Sequence, residues 1–194
     1  MLRTVLQVAI VLLIALGAGA GSAWFALETT RSVGSVDIGA WTAFPRSGTR
    51  DADPYARARS ARLGELALGQ AEGIGFVADQ DDTGAPLLRQ CDYLVEGSVP
   101  PVRFFTLYAA DPARRALSAP ERFSSALHSQ SLLWEQKQQL RISVSTSAHP
   151  GNWLALEGRG PMLLVLTLFD TPISTGGRVD EIALPRIRRM GCDA

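Results

Sequence analysis

The sequence predicts a mainly β protein: a jelly-roll-like β-sandwich with one or two short helices, preceded by an N-terminal transmembrane helix. Three observations carry this. Val5 to Leu27 is a stretch of 23 residues without a charge. From Gly73 onward, six short apolar runs are separated by turn clusters, the pattern of a two-sheet protein. The last two runs, Trp153–Leu156 and Met162–Phe169, flank Glu157-Gly158-Arg159-Gly160-Pro161. The second has scarcely a polar atom and ends at Asp170-Thr171-Pro172, as a strand in the middle of a β-core would. The Gly-Arg-Gly-Pro between them reads as a hairpin connection. With 18 glycines and 11 prolines among 194 residues, the chain suits a turn-rich β domain with one hydrophobic core.

The first element is the apolar N-terminus, which follows Arg3. At ~1.5 Å rise per residue, 23 residues span roughly 34 Å, enough for a hydrocarbon core of about 30 Å. Residues 1–30 therefore read as an anchor, with residues 5–27 in the membrane. The competing reading is a cleaved signal peptide, for which Ala18-Gly19-Ala20 supplies a small-x-small pattern. A signal core is usually only about 7–15 residues, whereas this stretch runs on through Trp24, Phe25 and Leu27. Trp24 and Phe25 also suit the outer interface. Both readings export the remainder, residues 34–194.

Ser32 to Gly34 is a short tether, and Val36 to Phe44 alternates as a single half-buried strand. Asp53-Pro54 then carries a helix start, aspartate as N-cap and proline at the first helical position. The helix continues from Tyr55 to Leu66, ends near Gly64 or Gly69, and carries Arg57, Arg59 and Arg62. That arginine row reads either as a solvated face or as a place to hold an anionic group. Beyond it the expected strands are Ile74–Ala78, Cys91–Glu96, Arg103–Ala109, Leu140–Ser145, Trp153–Leu156 and Met162–Phe169. Their core candidates are Phe76, Tyr93, Phe104 or Phe105, Ile142, Trp153 and Leu166. Residues 122–138 read as a loop or a short helix.

Charge and motif content narrow the function. Nineteen basic residues balance nineteen acidic ones, so no global field attracts nucleic acid. His128 and His149 lie 21 residues apart with no nearby cysteine or carboxylate at metal-ligand spacing. No nucleophile elbow, phosphate-cradling glycine loop or dinucleotide fingerprint occurs. Asp81-Asp82 and Asp180-Glu181 are neighbours in turns rather than acids facing across a cleft. No metal, cofactor or catalytic residue is read, and the balance leans away from an enzyme. Cys91 and Cys192 are an even pair in an exported domain and are expected to be bridged, the alternative being two free thiols. Closing that loop of about 100 residues would stabilise by roughly 4–5 kcal/mol.

The motifs Trp41-x-x-x-Pro45, Asp53-Pro54-Tyr55-x-Arg57-Ala58, Phe105-Thr106-Leu107-Tyr108, His128-Ser129, Asn152-Trp153-Leu154 and Gly160-Pro161-Met162-x-Leu164-x-Leu166 occur in that order. Together, over roughly residues 34–194, they resemble the bacterial domain-of-unknown-function family twelve-fourteen. In larger relatives that family forms the C-terminal module behind a companion domain, twelve-fifty-four. This chain carries a membrane segment instead. It reads Phe105 and Thr167 where relatives often show Trp and Arg. Arg3 and an amino terminus that stays inside orient the anchor as a single pass of the bacterial inner membrane with the β domain in the periplasm, and the resemblance implies a jelly-roll-like fold and a twelve-fifty-four protein as partner. The expected role is binding or assembly. The alternatives are recognition of an envelope glycan or lipid headgroup near the Asp53 helix start, with Asp53, Tyr55, Arg57 and His128 as contact residues, or an unrecognised hydrolase.

Overall fold

The computed structural model describes residues 2–29, 34–64, 67–69, 71–135, 139–172 and 182–192. The tether at 32–33 and the Asp180-Glu181 pair lie outside them, as does the far end of the expected helix at 65–66. Helix α1, Leu2–Thr29, contains a segment, Leu2–Ala26, long and apolar enough to cross a membrane, with mean hydropathy 2.1. None of that segment is buried in the protein.

The expected strand over Val36–Phe44 is instead a hairpin. Val36–Ile38 (β1) and Trp41–Ala43 (β2) pair antiparallel, and Gly39 at φ +59° makes the turn. Alternation alone cannot separate one strand from two whose turn keeps the same period. Trp41 is buried and donates from Nε1 to the Pro185 carbonyl at 2.7 Å. Helix α2, Pro54–Leu63, starts where the cap and proline place it. Gly64, at φ +66°, closes it at the first of its two expected ends.

Eight further strands follow: Gly73–Ala78 (β3), Cys91–Gly97 (β4), Phe104–Ala110 (β5), Ala126–His128 (β6), Leu140–Ser145 (β7), Asn152–Ala155 (β8), Leu163–Phe169 (β9) and Arg186–Cys192 (β10). They form two sheets, one ordered β1-β2-β3-β9-β5-β6 and the other β10-β4-β7-β8. A single core lies between them. Phe76, Phe105, Leu107 and Leu166 meet Tyr93, Val95, Ile142 and Ile187 there, each at alternate positions along its strand.

Three expectations are corrected. Trp153–Leu156 and Met162–Phe169 are not a hairpin: β8 belongs to the small sheet and β9 to the large one, so the Gly-Arg-Gly-Pro segment carries the chain between layers. Its glycines do adopt positive φ, +77° at Gly158 and +113° at Gly160. β8 instead lies parallel to β7. The overlap is only four residues, so the short link 146–151 suffices where longer parallel strands need a larger crossover. Trp153 is half-buried rather than core, its ring against the exposed Phe123. Of the Phe104–Phe105 pair, Phe105 is the buried one. β6 and β10 have no counterpart among the expected strands. Residues 122–135 form no helix and contribute β6.

Cys91 and Cys192 are bridged. They are register partners at the ends of β4 and β10, so the bond clips the last strand to the sheet.

Candidate functional site

The outward face of the large sheet is set by the same alternation that fills the core. With Ile74, Phe76 and Ala78 turned inward, β3 leaves Gly75 and Val77 outside. β9 leaves Val165, Thr167 and Phe169 outside, and β5 leaves Phe104, Thr106 and Tyr108. Register aligns these into cross-strand rows. One row runs Thr42, Val77, Val165, Tyr108, Ala126, and the next runs Gly75, Thr167, Thr106, His128.

α2 roofs part of this face. Between roof and floor lies a cavity of about 460 Å³. Ala56 and Ser60 of α2, with Phe44, Pro45 and Ser47 from the preceding loop, line its upper side. The floor is Gly75, Val77, Thr106, Tyr108, Val165 and Thr167. Apolar surface and hydroxyls thus alternate around one space. Arg114 supplies its cation from the loop after β5. That loop is a tight turn in which Arg114 N donates to Asp111 O at 2.8 Å and Arg114 itself adopts φ +62°. Asp111 holds the turn by accepting from Arg115 N at 2.9 Å and Arg115 Nε at 2.8 Å. The Arg115 backbone N–H, then its side chain, keep the Asp111 carboxyl below the usual range.

The four residues singled out from the sequence lie around this cavity rather than in its lining. Asp53 Oδ1 accepts from Tyr55 N at 2.8 Å and Ala56 N at 3.2 Å, so this oxygen caps the helix. Tyr55 and Arg57 point away from the sheet side of α2 and are exposed, and Arg57 Nη2 donates to the Arg50 carbonyl. His128 extends the floor at its β6 edge, opposite Thr106, with its ring 5.8 Å from that of Phe104. Sequence reasoning missed Gly75, Arg114 and the hydroxyl row. The available signal was the threonines at period two inside otherwise apolar strands.

A second depression, about 380 Å³ beside the small sheet, is lined by Glu96, Glu135, Arg141 and Arg186. Both of its carboxylates are paired, Glu96 with Arg188 at 2.6 Å and Glu135 with Arg141 at 3.9 Å. Among the described residues, no group of three or more His, Cys, Asp or Glu is placed to hold a metal ion.

Residues 72–173 match the model of a family described as a protein of unknown function, DUF1214, which is more than half of the chain. The chain belongs to this family. The matched segment contains β3, β5 and β9, the cavity floor, while the roof helix α2 and Cys192 lie outside it. Among solved structures, the chain is similar to a protein from Vibrio parahaemolyticus at 18% identity and TM-score 0.58, covering 72% of this chain and 36% of that one. A second, a putative uncharacterised protein from Burkholderia cenocepacia, is also 18% identical, with TM-score 0.45 over 90% of this chain and 51% of that one. The likeness to the first is one of fold, and the chain spans about a third to a half of the length of these relatives. Comparison with curated proteins finds no match.

Proposed function

We propose that this family member is a membrane-anchored binding module, facing the periplasm, that holds a polyol-bearing envelope molecule in the cavity beneath α2. The observation that carries the reading is that cavity. It is of ligand size, and its apolar floor is interrupted by the Thr106 and Thr167 hydroxyls, with Thr42 beside them and one arginine at the margin. Hydroxyls along a pleated face suit a ligand with several hydroxyls of its own, and Arg114 suits a phosphate or carboxylate beside them. Lipid headgroups and envelope glycans share this chemistry. The Cys91–Cys192 bridge supports an oxidising compartment.

Gly75 makes the reading testable. A Cβ built there meets nothing within 4 Å, so Gly75→Leu enters the cavity without disturbing the backbone. Full-length protein purified from membranes should carry a bound species by native mass spectrometry, and Gly75→Leu should lose it while melting at or above the wild-type temperature. Organic extraction followed by lipid and sugar analysis separates the two sources. Equal loading of wild type and Gly75→Leu would overturn the reading.

A second reading is docking in trans onto a protein carrying the companion domain twelve-fifty-four. Its support is the resemblance together with length: the chain covers only 36% of the Vibrio structure, leaving room there for a further module. Co-purification of such a protein from solubilised membranes, undiminished by Gly75→Leu, favours it over the ligand reading.

A further inference from the structure

The row Gly75, Thr167, Thr106, His128 crosses the outward face of the large sheet from beneath α2 to the edge strand β6. Neighbouring strands are about 4.8 Å apart, so two hydroxyls and an imidazole stand at even steps over about 10 Å. Thr106 and Thr167 line the cavity and His128 does not. None of these three side chains makes a hydrogen bond to another described residue. Their donors and acceptors are left to water or to a ligand.

The row alongside is aromatic. Phe104 and Phe169 are register partners, with ring centres 5.8 Å apart. The Phe104 ring lies equally far from that of His128, at an interplanar angle of 31°. Phe169 lines the cavity, while Phe104 stands beyond it. Both phenylalanines are half-buried and His128 is exposed, so a shelf of rings continues the floor past the roof. Arg114 is the one charged side chain among the described residues that line the cavity.

An aromatic face is electron-rich and attracts C–H groups that carry a small positive charge. The hydroxyls beside it exchange hydrogen bonds. A molecule that satisfies both at once has C–H bonds on its faces and hydroxyls around its rim, which describes a pyranose ring. Glycerol and ethanolamine headgroups have no such face. An extended peptide pairs with the free backbone of a sheet edge, not with the face of the sheet. We infer that the ligand of the cavity is an oligosaccharide of at least two rings. One ring lies beneath α2 over Thr106 and Thr167, and the next lies on Phe104 with its rim towards His128. This rests on the cavity reading above and narrows its ligand class to sugar. A free glycan and the sugar chain of a glycolipid share this chemistry.

The test applies detergent-purified full-length protein to an array of bacterial saccharides of increasing length, starting from single sugars, and to vesicles with and without lipopolysaccharide. Saccharides of two or more rings should be retained better than the matching single sugars. Phe104→Leu keeps the bulk and removes the ring. It should weaken retention of the longer saccharides by about three- to tenfold and leave single sugars unchanged, while Phe104→Tyr binds as wild type. Gly75→Leu should abolish both. Retention by lipopolysaccharide vesicles but by no free saccharide assigns the sugar to a glycolipid. Retention by neither probe, or longer saccharides held no better than single sugars, would sink the inference, as would wild-type binding by Phe104→Leu. A bound species that Gly75→Leu displaces but that contains no sugar ring also sinks it, and leaves the cavity reading standing. Equal loading of wild type and Gly75→Leu removes both.

Discussion

Two aspartates show how far a single residue can be read. Asp53 works through its immediate neighbours: one carboxylate oxygen serves two N–H groups of the first helical turn. Such a cap is legible because donor and acceptor lie within three residues. Asp53→Ala should lower unfolding free energy by about 0.5–2 kcal/mol in a denaturant titration, with ligand capture by the folded fraction unchanged. Asp81 looks in the sequence like half of a turn pair, yet it is only 2% exposed. Its Oδ1 accepts from Thr83 Oγ1 at 2.5 Å, Thr83 N at 2.9 Å and Ala85 N at 3.1 Å. Its Oδ2 lies 3.0 Å from Arg189 Nε on β10. Burial works against the ionised carboxylate, but the Thr83 and Ala85 hydrogen bonds and the Arg189 charge together outweigh it. The pKa is thereby held below the ordinary value of 3.8. A depressed pKa means the native state favours the charged form, so this stability is fully present above the ordinary value. It is lost as pH falls below that value through the native one. Asp81→Asn should therefore cost about 1–3 kcal/mol at neutral pH, and the gap to wild type should close in acid melts below pH 3.8. Nothing local to Asp81 announces Arg189, so the residue stayed hidden.

At the scale of the element, most strands were legible and their partners were not. β3, β4, β5, β7, β8 and β9 fall within about two residues of the apolar runs that announce them, since burying one face imposes period two. β10 is invisible by that measure. The exposed Arg186 and Arg188 flank the fully buried Ile187, and Arg189 follows at an intermediate position, so one apolar residue makes no pattern. An edge strand needs only one buried side chain when its backbone pairs with β4 and its end is covalently held. The parallel β7–β8 pair was hidden for another reason: a glycine-rich link looks the same whether it closes a hairpin or changes sheets. This assigns the bridge a definite task. Cys91→Ser/Cys192→Ser should lose about 2–5 kcal/mol relative to wild type in the absence of reductant. Added reductant should remove the difference. Hydrogen exchange should show the loss along β10 first, and unchanged β10 protection would mean that Ile187 and the β4 ladder suffice without the bond.

For the whole molecule, the layering was legible and the cavity was not. A roof and floor from α2, β3, β5 and β9 exist only after two distant stretches are folded together, and residue type says little about what faces the gap. The anchor is the opposite case, a whole-molecule property written in one continuous stretch. Leu2–Ala26 is unburied by any part of the protein. Each large aliphatic side chain left in water forgoes about 1.5–3 kcal/mol of burial, and the helix is long and apolar enough to cross a bilayer. The structure adds a consequence for cleavage. Removal after Ala20 would leave Trp24, whose ring centre lies 4.2 Å from the Arg62 guanidinium, on the mature chain, so that contact does not distinguish anchor from signal peptide. The mass of the N-terminus does. The full-length chain is expected in the membrane fraction after carbonate washing, with an intact mass that includes residues 1–20. A soluble mature form beginning near Gly21 would sink the anchor. The cavity and its Gly75→Leu test would stand unaffected.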